Sequence, residues 1–402
     1  MDNADVIIIG AGPIGCATAH TFADKGARVL MCDMAKGPLT RPVAEVLFPP
    51  TVQLMRRWGV ELPPGRFARG TGITFYEHGH PEPVELRFPA EARPLMISYT
   101  DLADAMQESL IERYEIELLH GVEILSVELD GSVHATRGKF DTQYRADLLV
   151  GADGRTSVVR RRLYGDLPET VTSLTASAVL EGTGLKGYEQ VRVITDEHGR
   201  SVRIQALGRD LIGVGLDLPS RLPAEDEVRD HLKEQFWPLL PPELHEPLDR
   251  AAAEEDGITW TAEGFRTRRS YEHGRIAMVG DAVGHVHPLV GIDPTMGFLD
   301  GQTLARYGRA NGYATARPEA VGNIEYLAHA FYRVLMGRTP ETVEARRGLH
   351  EHLRRDPAAR EAAMWLLAAD ERGEELLPLM DELEGIEADD EDEYGEHVGA
   401  AK

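Results

Sequence analysis

Val6-Ile7-Ile8-Ile9-Gly10-Ala11-Gly12-Pro13-Ile14-Gly15 is the stretch that decides the fold. Its four β-branched residues read as a short strand covered on both faces, as in a parallel sheet. The glycines behind them let the chain turn tightly and let its backbone approach a pyrophosphate. Gly15, Cys16, Ala17 and Ala19 then give the following helix a small-residue face that can pack close on a sheet. Free N–H groups and the positive dipole end at that helix N-terminus suit phosphate. Gly26 ends the helix, Arg28-Val29-Leu30-Met31-Cys32 reads as the next strand, and Asp33 closes it. A carboxylate there accepts hydrogen bonds from a ribose diol. This order predicts a dinucleotide-binding unit with Gly10, Gly12, Pro13, Ile14, Gly15 and Asp33 on the ligand.

Two later signatures narrow the ligand. Leu148-Leu149-Val150 reads as a strand, Gly151-Ala152-Asp153-Gly154 as its turn, and 155–160 as the start of a helix. Ile276-Ala277-Met278-Val279 is a strand ending in Gly280-Asp281. The first motif alone does not separate FAD from NAD. The ordered set of three resembles the single-component, or class A, FAD-dependent aromatic hydroxylases, flavoprotein monooxygenases whose relatives include the ubiquinone-pathway hydroxylases and squalene epoxidase. The resemblance runs from about Val6 to about Leu304 and is loose in the middle. It implies bound FAD, with Gly280 and Asp281 at the ribitol and Asp153 in a turn associated with both FAD and NADPH. A turn carboxylate capping the next segment is the other reading of Asp281. Thr40-Arg41-Pro42 through Trp58-Gly59 resembles the family's lead into its second helix, which implies Arg41 beside the flavin. Many relatives carry Arg or Gln where Tyr99 stands. Tyr99 could stack or hydrogen-bond in that place, or simply pack. It opens a helix with Leu102, Met106 and Leu110 on one face.

The third signature continues through His285-Val286-His287-Pro288-Leu289-Val290-Gly291-Ile292-Asp293-Pro294-Thr295 to Asp300 and most resembles the squalene-epoxidase branch. In the family the amides of a glycine-rich loop after the proline face the flavin N1–C2=O edge. By resemblance Pro288, Gly291, Asp293, Pro294 and Thr295 take those places. The loop here reads Gly-Ile-Asp-Pro in place of Gly-x-Gly. Asp293 followed by Pro294 predicts a helix start, with Asp293 as N-cap and proline at the first helical position. That helix would stabilise an anionic reduced flavin, provided the Asp293 carboxylate points away. His285 and His287 face one side of an extended segment, and no third ligand at zinc-like spacing joins them, so no metal is expected. His287 reads as a structural or flavin-side residue.

Composition fits a cytoplasmic enzyme. The 402 residues are 42% hydrophobic, enough for two or three domains with proper cores. A formal net charge of −24 argues against nucleic acid and anionic membrane surfaces. Cys16 and Cys32 read as small apolar residues in a reducing compartment. No signal peptide or run long enough for a membrane span is read. Ten acids and no Lys or Arg lie between Asp381 and Glu396, which predicts a disordered solubilising tail.

The expected fold is α/β: a Rossmann-like FAD-binding domain with an inserted antiparallel β-sheet substrate domain and C-terminal helices. Short alternating strands are read at 174–180, 191–195, 202–206 and 211–217, with 74–77 and 84–88 added. Helices are read at 225–237, 323–335, 340–353 and 357–369. The implied domains are 1–75, 98–170 and 265–317 for FAD; 76–97 and 171–264 for substrate; a helical region 318–380; and the tail 381–402.

The resemblance implies an NADPH- or NADH-reduced FAD that activates O2 as a C4a-hydroperoxide. It would hydroxylate or epoxidise an apolar aromatic, polyketide or isoprenoid molecule. No side-chain nucleophile is needed. A geranylgeranyl-reductase-like reduction of isoprenoid double bonds and a non-redox FAD-binding role are the alternatives. A monomer or homodimer is expected.

Overall fold

The computed structural model describes residues 3–37, 43–77, 79–114, 116–166, 170–184, 186–218, 228–254, 256–266, 271–368 and 370–379. Arg41 and the acidic tail lie outside the described residues. Strand Asn3–Ile9 runs parallel to Val29–Asp33 on one side and to Phe140–Gly151 on the other. Glu117–His120 and Ile276–Met278 extend the sheet outward, also parallel. Val6 and Ile8 enter one apolar cluster and Ile7 and Ile9 the other. That two-sided cover is why the strand is continuously apolar.

The helices are α1 (Pro13–Ala23), α2 (Pro49–Trp58), α3 (Tyr99–Tyr114), α4 (Val158–Tyr164), α5 (Val228–Phe236), α6 (His245–Ala251), α7 (Asp293–Tyr307), α8 (Ala310–Met336), α9 (Pro340–Arg355) and α10 (Pro357–Leu367). Leu102, Met106 and Leu110 of α3 are buried, and Ser98 accepts the Asp101 N–H at 3.1 Å to cap its start.

A second sheet has seven strands in the order Thr259–Phe265, Thr170–Glu181, Leu211–Leu218, Ser201–Gly208, Gln190–Thr195, Gly72–Glu77, Val84–Arg87. All neighbours are antiparallel except Gln190–Thr195 with Gly72–Glu77. Its strands bracket those read from the alternation except at 84–88, where the strand stops at Arg87, and it takes in the whole of Gly72–Glu77, so it begins before residue 76. One face packs Ala176, Ile204 and Leu216 against Phe236 and Leu248 of α5 and α6. Ile73, Phe75, Val191 and Val193 point the other way, into the cluster with Phe331, Val334 and Leu335 of α8. Strands Ala44–Leu47, Phe67–Arg69 and Leu95–Ser98 form a small third sheet.

Helix α8 starts at Ala310, earlier than the pattern from 323 indicates, and carries Pro318 inside it. Met364, Trp365, Leu366 and Leu367 of α10 are buried in the core shared with Val84 and Leu86. Among the described residues no helix is long and apolar enough to cross a membrane.

Candidate cofactor and active site

The glycines of the first turn have separable reasons. A Cβ on Gly10, whose φ is +102°, would stand 2.4 Å from the Ala152 carbonyl oxygen, and one on Gly15 would stand 2.0 Å from that of Gly10. These two positions are closed by the protein's own backbone. A Cβ on Gly12 would meet the Tyr99 hydroxyl at 2.6 Å, so Tyr99 closes the cradle from above. Gly12 is the N-cap of α1 and brings no side chain to its first turn, which leaves those N–H groups for phosphate. Asp33 accepts the Ala11 N–H at 2.6 Å and the Ala35 N–H at 2.7 Å, fixing the turn to the second strand. Each carboxylate oxygen keeps a lone pair for a ribose hydroxyl. These residues fit the pyrophosphate and ribose of a dinucleotide.

Ile14 joins the first and third signatures. A Cβ on Gly280 would lie 2.9 Å from the Ile14 side chain, and one on Gly297 would lie 2.5 Å from it. Gly301 stands in the same relation to Thr18, so α7 packs directly on α1 through its small residues. Asp300 accepts the Gly280 N–H at 2.9 Å and pairs with Arg317 at 2.8 Å, both side chains at most 1% exposed. Arg317 also reaches Glu325 at 2.7 Å.

Asp153 turns inward. One oxygen accepts the Ser157 hydroxyl at 2.6 Å; the other accepts the Val158 N–H at 2.7 Å and the Val159 N–H at 3.2 Å. It braces the start of α4, and burial pushes its pKa up.

Arg155, which the sequence reading left unassigned, faces the site. It pairs with Glu263 of the second sheet and with Asp281 at 3.3 Å. Burial pulls its pKa down, but the charges of Asp281, Glu263 and Asp293 outweigh this and raise it, so it stays charged. Burial raises Glu263 in turn, with Arg155 opposing. Arg160 donates to the carbonyls of Asp281 at 3.2 Å and Ala282 at 2.8 Å.

His287 accepts the Leu289 N–H on Nδ1 at 3.2 Å, which assigns the ring proton of the neutral form to Nε2. Nε2 lies 3.0 Å from Asp217 Oδ2 and 2.8 Å from Ser173 Oγ. The Tyr332 ring covers it at 4.3 Å. His287 therefore fastens the 288–291 loop to the second sheet. Arg203 adds a bond to the Pro288 carbonyl at 2.6 Å. His285 makes a two-way backbone bridge with Arg266. Among the described residues no cluster suits a metal ion.

The helix start is displaced by one residue from the sequence reading. Gly291 takes a left-handed turn with φ +67°, and the Ile292 carbonyl accepts the Met296 N–H at 3.1 Å. Ile292 is thus the N-cap, Asp293 the first helical residue and Pro294 the second. Asp293 does not cap α7 as expected; its charge acts on Arg155. Thr295 meets the Thr51 hydroxyl at 3.3 Å. Beside Leu289 and Gly291 lies an apolar niche formed by Val46, Ile73, Phe75, Val191 and Val193, with Arg203 at its edge.

The profile of the FAD binding domain family matches residues 3–305. The chain belongs to that family. Para-nitrophenol 4-monooxygenase of Pseudomonas sp. (strain WBC-3) is 24% identical over 322 residues, 76% of this chain and 78% of that protein. Squalene epoxidase 6 of Arabidopsis thaliana is 24% identical over 379 residues, 87% and 73% of the two chains. A variant of Klebsiella pneumoniae HpxO, solved in complex with FAD, superposes with a TM-score of 0.72 at 19% identity, covering 92% of this chain and 99% of its own. The family assignment makes the chain an FAD-dependent oxidoreductase, and the relatives it matches include monooxygenases and epoxidases.

Proposed function

We propose that the chain uses NAD(P)H and O2 to hydroxylate or epoxidise an apolar aromatic, polyketide-type or isoprenoid small molecule. What supports this reading is the FAD-binding family match over residues 3–305 together with the likeness to para-nitrophenol 4-monooxygenase and squalene epoxidase 6. In this reading Gly10, Gly12 and Gly15 hold the pyrophosphate, Asp33 a ribose, and Gly280 and Asp281 the ribitol. Residues 288–291 and the α7 N-terminus would hold the isoalloxazine ring. Bound FAD supplies hydride acceptance and oxygen activation.

The chain's own residues orient and exclude water. Val46, Ile73, Phe75, Val191 and Val193 pack an apolar core beside Leu289 and Gly291, which keeps water away from that loop. Arg155 offsets the Asp293 and Asp281 charges beside the helix that would support a reduced flavin.

The test is anaerobic mixing of flavin-loaded protein with NADPH or NADH, alone and with phenolic or isoprenoid candidates, followed by 18O2. Faster flavin bleaching with one candidate, and one 18O atom in its product, is expected. Flavin that is reduced and reoxidised with no oxygen in any organic product would overturn the monooxygenase reading.

A further inference from the structure

Six strands of the second sheet each place one polar residue in a single row. The register pairs Thr261 with Thr175, Thr175 with Asp217, Asp217 with Ser201, Ser201 with Thr195, and Thr195 with Glu77. Directly paired residues share a face. This face is opposite Leu216 and Val202, which belong to the core under α5 and α6. Ser201 and Thr195 are 1% exposed and Asp217 is 6% exposed. Thr175 donates to Asp217 Oδ2 at 3.4 Å. Asp217 Oδ1, Ser201 Oγ and Thr195 Oγ1 have no hydrogen-bond partner in the protein.

Packing does not explain the row. Valine or leucine at these positions would continue the apolar face that Val191 and Val193 already form. Buried polar atoms without protein partners are met by ordered water. Thr175 bridges its gap to Asp217 directly, whereas Ser201 and Thr195 make no direct bond across theirs, and the ~4.8 Å between neighbouring strands leaves room there for a bridging water.

The stretch of the row from Asp217 to Glu77 differs at its two ends. At Asp217, Oδ2 is held by His287, next to the 288–291 loop. At the other, Glu77 meets His350 at 3.6 Å and Arg347 at 3.3 Å, and Arg347 is 61% exposed. The charged and titratable groups around the row are Arg203 from the row's own sheet face, His287 and Glu263 on the loop side, Tyr332 from α8, Asp196 with its partner Arg200 from the turn after Thr195, and Arg346, Arg347 and His350 from α9. His350 first, and then the α9 arginines, hold the Glu77 carboxyl down at about 2, so it stays ionised.

We propose that the row from Asp217 through Ser201 and Thr195 to Glu77 holds a file of ordered waters that conducts protons between the exposed Arg347 beside Glu77 and the His287–Asp217 pair. This rests on the monooxygenase reading. That reaction takes one substrate molecule, one O2, one NAD(P)H and one proton to oxygenated product, NAD(P)+ and water. One proton must therefore enter per turnover. Along the file each water or hydroxyl accepts one proton and releases another, so only O–H bonds form and break. Asp217, Ser201 and Thr195 act here as positioning residues for that water.

The experiment uses wild-type protein and the double variant Ser201→Ala/Thr195→Val, which leaves every proposed flavin contact in place. A high-resolution crystal structure of the wild type should show waters within hydrogen-bond distance of Ser201 Oγ and Thr195 Oγ1. The double variant should lose them while keeping flavin and KM. Its kcat should fall about tenfold, below the 10²–10⁴ of a group that transfers the proton directly. Its kcat should also fall more steeply with rising pH and show a larger solvent deuterium effect. Thr195→Ser should restore all of these toward wild type. A dry row, or a double variant with unchanged kcat, pH profile and isotope effect, would overturn the proposal. Failure of the underlying reading shows separately, as wild-type protein that takes up no flavin, and the row is still judged by its waters.

Discussion

The two sheets meet their buried acids differently. Around the parallel sheet three carboxylates are matched on both oxygens: Asp33 by Ala11 and Ala35, Asp153 by Ser157, Val158 and Val159, and Asp300 by Gly280 and Arg317. On the second sheet the inward face leaves Asp217 Oδ1, Ser201 Oγ and Thr195 Oγ1 unmatched, and Gly213 and Gly215 bring no side chains to it. A cofactor that stays bound needs a fixed cradle. A face where substrate and protons come and go needs spare valence. Arg155, His287 and Arg203 are among the ties between the two halves.

The sharpest stability test of this contrast is in the cofactor half. Arg317→Met strands Asp300 as an unpaired buried charge, and should cost about 3–5 kcal/mol in a denaturant titration. A loss below about 1 kcal/mol, the size of an exposed pair, would mean the brace on Gly280 is dispensable.

Acid sensitivity should come next, from the same half. His20 is fully buried, stacked on Trp58 at 5.0 Å, and burial lowers its pKa from 6.5 to about 4. The folded state therefore favours the neutral ring. That stability is complete above pH 6.5 and drains away as the pH falls towards 4, by about 3 kcal/mol in all. Replacing His20 with Gln should flatten this limb of the stability curve; parallel curves for the two proteins would refute the assignment.

Arg155→Met probes the tie between halves. Its side chain is 25% exposed, so solvent screens the stranded Glu263 and Asp281, and a loss of about 2 kcal/mol is expected. The smallest effect belongs to truncation after Met380. The removed stretch is an acid run with few apolar residues to order it. Flavin content and Tm should not change, and a drop of several degrees would show that the tail docks on the body.

Legibility in the sequence divides along the same line. Strand, glycine turn, helix and Asp33 lie within one short stretch, so local rules place them. The displaced start of α7 shows how fine the limit is. Asp-Pro has the chemistry of a cap, yet the left-handed turn at Gly291 brings the Ile292 carbonyl to the first helical bond. Gly312, Pro318 and Gly322 hid the first turns of α8, where tertiary packing overrides propensity. Arg155 with Glu263, His287 with Asp217, and the polar row join distant segments through sheet register. The available signal was Asp217 itself, an acid on the strand face opposite Ile212, Val214 and Leu216.

The most direct test of this division is the ratio of FAD to protein in three purified forms: wild type, Gly12→Val and Asp217→Asn. A valine at Gly12 drives its side chain into the space between the turn and the Tyr99 hydroxyl, whereas Asp217→Asn leaves the glycine turn untouched and keeps an oxygen to accept from His287. Ratios near one for wild type and Asp217→Asn, with an empty Gly12→Val protein, are the predicted result. Stoichiometric flavin in Gly12→Val, or none in the wild type, would contradict the account.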